Sequence, residues 1–181
     1  MAYYHVDNFA RYLNSLGYSR SRIDVDPHVD DSPYIDSYYD PVNDRIALGI
    51  EYVDGGEDSE VIIHEYTHAM EEALMGGFNY NYDESGALSE GYSDYMAGSY
   101  GYSINSFNPD TTVKWGHRPV FQGRPLNSTK HYPEDMVGEP HADGEIWSAC
   151  LWEVFNQYGS CLLYTSDAAD EEDSVDLGGR R

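Results

Sequence analysis

Val61-Ile62-Ile63-His64-Glu65-Tyr66-Thr67-His68 is the stretch on which the reading of this chain turns. Its apolar positions, with Tyr66, Ala69, Met70 and Ala73, predict a helix capped by Asp58 or Ser59 and ended by Gly76-Gly77. At about 3.6 residues per turn, His64 and His68 stand one turn apart on one face. Two imidazoles so placed can bind a single ion, and zinc is the usual one. Glu65 sits beside the first of them, where it can reach a water on the ion without binding the ion itself. A ligand pair with a base next to it is what metal-assisted hydrolysis requires. Alone, the pattern also fits an amphipathic helix with two surface histidines, so the rest of the chain has to decide.

Two histidines leave a catalytic zinc site one protein ligand short. Glu90 follows in Gly86-Ala87-Leu88-Ser89-Glu90-Gly91-Tyr92-Ser93-Asp94, within a second helix predicted over 86–99. Asp94 stands at i+4 from Glu90, on the same face. A carboxylate there can accept the other ring N–H of a ligand histidine and set its tautomer. Without the first motif, Glu90 and Asp94 would be an exposed acidic face.

Taken together, the residues resemble the gluzincin metallopeptidases: His-Glu-x-x-His, then Glu-x-x-x-Asp on a following helix. Residues 61–68 are similar to the active-site helix of the thermolysin and fungalysin families. Residues 84–94 resemble the thermolysin Glu-Ser-Gly-Ala-x-x-Glu-x-x-Ser-Asp run, and their Glu-Gly-Tyr-Ser-Asp core is similar to fungalysin's Glu-Gly-Trp-Ser-Asp. His141-Ala142-Asp143-Gly144-Glu145-Ile146-Trp147 resembles the fungalysin His-x-x-Gly-Glu-Val-Trp segment. The likeness covers residues 36–155 in order and is closest in motif to fungalysin.

The resemblance implies a zinc-dependent endopeptidase with His64, His68 and Glu90 as metal ligands. Glu65 would activate the bound water and then protonate the leaving amine. Asp94 would orient His64. His141 would stabilise the oxyanion, although as a bare sequence feature it could equally cap the last helix. The position that thermolysin-like enzymes give to an assisting tyrosine is Asn81 here, between Tyr80 and Tyr82, and either could serve. Arg124, in Arg-Pro-Leu-Asn, resembles the arginine that holds a substrate carbonyl. Ser37-Tyr38-Tyr39 falls where the family places its substrate-binding edge strand. Ser89 replaces an asparagine that thermolysin sets against its second histidine, which puts that contact in question. Ala69 replaces a fungalysin glycine. A propeptide, secretion, an extracellular location and calcium are expected from the resemblance alone, as is a protein or peptide substrate.

The end of the chain has a different origin in this reading. Residues 161–171 match, in one unbroken frame, the translation of a transposase-type sequencing adapter, so 161–181 is expected to be read-through and the native chain to be cut at about residue 160. An acidic disordered tail is the other reading of that composition. The whole chain carries 33 acidic and 10 basic residues. Six acidic residues (Asp167, Asp170, Glu171, Glu172, Asp173, Asp176) and two arginines lie in the tail, so without it the balance is 27 to 8 and the net charge −19. That acidity argues against nucleic acid and anionic membrane surfaces as partners, both of which need a basic footprint. No apolar run is long enough to span a membrane, and no signal peptide is visible after Met1. With the tail removed, Cys150 stands alone and has no partner for a disulfide within the chain.

The remaining elements are read more coarsely. Residues 7–16 predict a helix capped by Asp7 or Asn8, with Phe9, Tyr12, Leu13 and Leu16 inward and Gly17 at its end. Residues 20–44, rich in Asp with three prolines, read as a solvated acidic loop; clustered carboxylates can bind calcium, but no EF-hand spacing occurs. Residues 45–50 alternate as a strand. Residues 103–140 read as irregular. A last helix is predicted over 143–158, capped by Asp143, stopped by Gly159, with Ile146, Trp147, Cys150, Leu151, Val154 and Phe155 apolar.

The fold expected is α+β, the two-lobed zincin arrangement. An N-terminal lobe, residues 1–78, would hold a small sheet and the His-Glu-x-x-His helix, and a mainly helical, truncated lobe would span 79–160. Two other readings stand beside the endopeptidase: a non-catalytic zinc-binding or adhesion module on the same scaffold, and a gluzincin aminopeptidase. Intact Glu65 speaks against the first, and the missing Gly-x-Met-Glu-Asn motif against the second.

Overall fold

The acidic stretch read as loop holds two strands. In the computed structural model, which describes residues 1–20, 22–29, 36–50, 54–76, 84–104, 108–114 and 123–172 (side chains to 159), β1 runs Asp24–Val29 and β2 Tyr38–Asp40. Both pair with β3, Arg45–Gly49, in the order β1-β3-β2, β1 parallel and β2 antiparallel to it. Val25 and Val29 are buried while the aspartates face out, so a one-sided pattern survives in a sequence dominated by its polar side. Pro27 lies where the β1–β3 register shifts, between Asp26 and Val29, a place where its missing N–H breaks no ladder bond. β2 is an edge strand, with Asp40 opposite Arg45.

Against this sheet lies α2, Ser59–Met75. Asp58 caps it by accepting from the N–H groups of Glu60 and Val61, and Gly76 ends it at φ 74°, a left-handed conformation that a side chain would strain. Residues 60–71 are all buried. A helix enclosed on every side is the fold's central rod. Its Val61, Ile62, Ile63, Tyr66 and Met70 join Phe9, Leu13, Val25, Ile46, Leu48 and Met96 in one apolar core.

α1, Ala2–Ser15, starts earlier than the predicted 7–16. Asp7 does not cap it; its carboxylate pairs with Arg11 one turn on. Phe9 and Leu13 face inward, and Phe9 meets Tyr66 and Tyr100 edge-on at 5.8 and 5.6 Å. Tyr12 and Leu16 are exposed instead.

α3 spans Glu84–Ile104 and α4 Pro140–Glu172. α4 begins before Asp143 and passes Gly159 without stopping. Glu139 caps it, accepting from the N–H groups of His141 and Ala142. Asp143 instead turns back to accept from Val137 and Gly138 at 2.8 Å each. Ile146 and Trp152 supply its buried apolar side, while Cys150 and Val154 are exposed. Within 103–140 a two-stranded sheet joins β4, Thr111–Thr112, to β5, Arg124–Pro125. The molecule is thus α+β, with four helices and two small sheets among the described residues. No helix among these residues is long and apolar enough to cross a membrane.

Candidate active site

Helices α3 and α4 cross at two glycines. A Cβ on Gly91 would stand 2.4 Å from the Gly144 carbonyl oxygen, and one on Gly144 would stand 2.9 Å from the Gly91 nitrogen. Only glycine permits backbones this close. The crossing carries Glu90 and His141, the neighbours of that contact in sequence and space, to the polar face of α2.

There, His64 and His68 stack edge-on with ring centroids 4.7 Å apart. Their Nε2 atoms are 3.1 Å apart. Glu90 Oε2 lies 3.1 Å from His64 Nε2, and Oε1 lies 3.5 Å from His68 Nε2. Ligand atoms around a tetrahedral zinc, with Zn–N of about 2.0–2.1 Å, stand about 3.3 Å apart. The His64–His68 and His64–Glu90 Oε2 separations lie near that edge length, the other Glu90 oxygen faces His68, and among the described residues these are the side chains whose ligand atoms converge, all within 4.8 Å. Glu90 Oε2 is buried without a well-directed hydrogen-bond donor, which is what a metal-facing oxygen looks like. The donor set, two imidazoles and a carboxylate, therefore fits zinc.

His64 is held from behind. Its Nδ1 meets Asp94 Oδ1 at 2.9 Å, and Asp94 is 1% exposed. An ionised carboxylate can only accept, so Nδ1 carries a proton, and in the neutral ring the lone pair falls on Nε2. Asp94 is in turn forked by Arg124, Nε to Oδ2 at 2.7 Å and Nη2 to Oδ1 at 2.5 Å. Burial pushes the Asp94 carboxyl up, but the Arg124 charge and the His64 contact outweigh it and hold it below the usual range. Burial likewise opposes charge on His64, yet Asp94 and Glu90 raise its pKa to about 10. Glu90 is well below the ordinary carboxylate range: its burial is overcome by His64, His68 and His141. Groups that attract a proton this strongly into the His64 ring attract a cation into the same place.

His68 is held differently. Its Nδ1 is 3.0 Å from Ser89 Oγ and 3.3 Å from Ser93 Oγ. Ser89, where thermolysin has an asparagine, therefore keeps a contact with the second histidine.

The other predicted residues gather around a cleft of about 360 Å³. Glu65 lines it, buried, on α2 but outside the converging trio. His141, on the first turn of α4 and half exposed, reaches Glu90 Oε2 at 3.3 Å with Nε2, while its Nδ1 meets Glu139 Oε1 at 2.7 Å. Arg124 lines the cleft although its fork is engaged by Asp94. Ser37 lines it too, its hydroxyl accepting from the Gly49 N–H at 3.1 Å, and β2 forms the adjoining wall. Tyr80, Asn81 and Tyr82 lie outside the described residues. Sequence reasoning missed Glu139, as well as the fork between Arg124 and Asp94. Glu139-Pro140-His141 offered a signal, since a carboxylate two residues before a histidine at a helix start can bond both backbone and ring.

A helix pair presents two histidines and a glutamate to one point, a set that could hold a metal ion, with a further glutamate beside them in the cleft. The family model described as fungalysin metallopeptidase (M36) matches residues 49–174, and the chain belongs to that family. The matched residues include the stretch read as adapter. Among curated proteins the chain is similar to an extracellular metalloproteinase of Aspergillus niger, 30% identical over 128 residues, covering 59% of this chain and 20% of that protein. It is also similar to one of Aspergillus flavus, 29% identical over 118 residues, covering 56% and 18%. Extracellular metalloproteinase 10 of Coccidioides posadasii matches to the same extent, 29% over 118 residues, 56% and 18%. The chain spans about a fifth of the length of these relatives. No solved structure matches.

Proposed function

We propose that this chain carries the catalytic centre of a secreted zinc-dependent endopeptidase. The observation that carries this reading is the convergence of His64, His68 and Glu90 on one point with Glu65 in the same cleft. Family membership and the extracellular metalloproteinases among its relatives support it. Residues 1–78 would form one lobe and 79–160 the other, with α2 along the cleft floor. Residues 161–181 are read as adapter-derived, which the codons of the natural transcript test directly.

Zinc held by His64, His68 and Glu90 would polarise the scissile carbonyl and lower the pKa of a water. Glu65 takes the proton from the attacking water as general base and passes it to the leaving amine. Asp94 keeps the His64 ring in its working tautomer. His141, aligned by Glu139, is assigned to the developing oxyanion, together with Tyr80 or Tyr82. Arg124 is assigned to the substrate's backbone carbonyl. The edge of β2 that pairs with no strand among the described residues, beginning beside Ser37, suits an extended peptide added as a further strand. A non-catalytic module would have no use for Glu65 and ordinarily closes its metal with four protein ligands.

Zinc content and casein cleavage, measured for the natural sequence and for Glu65→Gln, test the assignment. Both proteins are expected to bind zinc, while the substitution lowers cleavage by at least about 100-fold. Zinc bound with cleavage unchanged ends the catalytic reading, and no zinc in either ends the metal reading.

A further inference from the structure

Glu71 is a buried carboxylate that the mechanism above leaves unused. It sits on α2 three residues after His68, is 1% exposed, and its Oε1 has no hydrogen-bond partner among the described residues. Burying a carboxylate is costly unless its partners compensate. Its Oε2 receives the Ser89 hydroxyl at 2.5 Å, the length of a charge-assisted bond. The same oxygen stands 3.5 Å from His68 Nδ1.

We propose that Glu71 is a positioning residue for His68, acting through the hydroxyl of Ser89. This rests on the reading of His68 as a metal ligand. The argument is one of hydrogen count. A serine hydroxyl has one hydrogen, and here it goes to a carboxylate, which can only accept. Ser89 Oγ therefore meets His68 Nδ1, 3.0 Å away, with a lone pair. His68 must donate from Nδ1, which leaves the lone pair on Nε2, the atom facing His64 and Glu90. Without Glu71 the Ser89 hydrogen loses its acceptor and is free to turn to His68 Nδ1, which favours the opposite tautomer, with the proton on Nε2 where the metal would bind. Ser93 Oγ, at 3.3 Å, has no such carboxylate behind it among the described contacts and does not impose a direction.

The test uses the full chain and reads metal affinity and ligand field. Zinc affinity is measured by chelator competition, the cobalt-substituted visible spectrum is recorded, and thermal unfolding is followed in parallel. Glu71→Met and Ser89→Ala are each expected to lower zinc affinity ten- to a hundredfold and to shift the cobalt bands, whereas Glu71→Gln, whose amide oxygen still accepts the Ser89 hydrogen, should lose less. Ser93→Ala should stay within threefold. Because Glu71 works through Ser89, adding Glu71→Met to Ser89→Ala should cost less than threefold further. Glu71→Met removes the buried charge with an apolar side chain of similar length, so it decides the matter if Glu71→Gln fails to fold. A folded Glu71→Met that holds zinc within threefold of the natural sequence, with unshifted cobalt bands, overturns the proposal. Failure of the natural sequence to bind zinc would instead overturn the metal reading beneath it.

Discussion

The two histidines of α2 stand one turn apart and are held in opposite ways. His64 leans directly on a carboxylate, Asp94, which is itself forked by Arg124 from β5. His68 leans on a neutral hydroxyl, Ser89, which hands the contact on to Glu71. The first arrangement is a chain of charges reaching across three elements. The second stays within one helix pair. Both direct a proton to Nδ1 and turn Nε2 toward the shared point, but they should respond differently to damage. A direct charge partner holds more strongly than a relayed one, and its removal strands a second charge.

The largest effect is therefore expected at Asp94. Asp94→Asn strips the Arg124 guanidinium of its paired carboxylate, at a cost of about 3–5 kcal/mol. It also exchanges the charged acceptor of His64 for a neutral amide, with a loss of about 10–100-fold in zinc affinity. Chemical denaturation and chelator competition measure the two. If Asp94→Asn destabilises no more than Glu71→Gln, the distinction between a direct and a relayed partner is empty.

Gly91→Ala should act on both histidines alike. The added methyl meets the Gly144 carbonyl and Trp147, forcing α3 from α4 and moving Glu90, which faces both rings. The expected destabilisation is about 1–3 kcal/mol. A full-strength site with an unchanged unfolding midpoint would mean that the glycine crossing does not set the position of Glu90.

The smallest effect lies at the rim, at Glu139. Burial pushes its carboxyl up, but the hydrogen bonds from His141 and from the Ala142 and His141 N–H groups win and lower it below the ordinary 4.5. A depressed carboxyl stabilises the fold above its unfolded pKa, and that stabilisation is lost as pH falls through 4.5 toward the native value. Unfolding midpoints recorded against pH should fall less steeply below 4.5 in Glu139→Gln than in the natural sequence. Identical profiles would show that the cap contributes nothing to the start of α4.

Much of the centre is legible in the chain because it is helical. The i, i+4 spacing of His64 and His68, and of Glu90 and Asp94, fixes a shared face from local geometry alone. Asp58 and Gly76 mark the ends of α2 by chemistry confined to one turn. Glu71 was open to the same reasoning, at i+3 from His68 and i+7 from His64, but a carboxylate at that spacing means little until Ser89 is seen beside it.

The sheet was not legible, and the reason is physical. β1 carries Asp24, Asp26 and Pro27, residues of loops, and it is a strand because Val25 and Val29 find the α2 side of the fold and its backbone finds β3. Strand character here belongs to the pairing and not to the residues. Arg124 is similar: its sequence suggests a free cation for a substrate, and the fold places two of its nitrogens on Asp94. By itself the sequence determined that helices stand in these places, that His64 and His68 share a face, and the family, since each rests on spacing within a turn or on motifs in order. Tertiary structure alone decided which groups stand behind His64 and His68. Those contacts join residues far apart in the chain, and hydrogen-bond direction exists only once the partners meet.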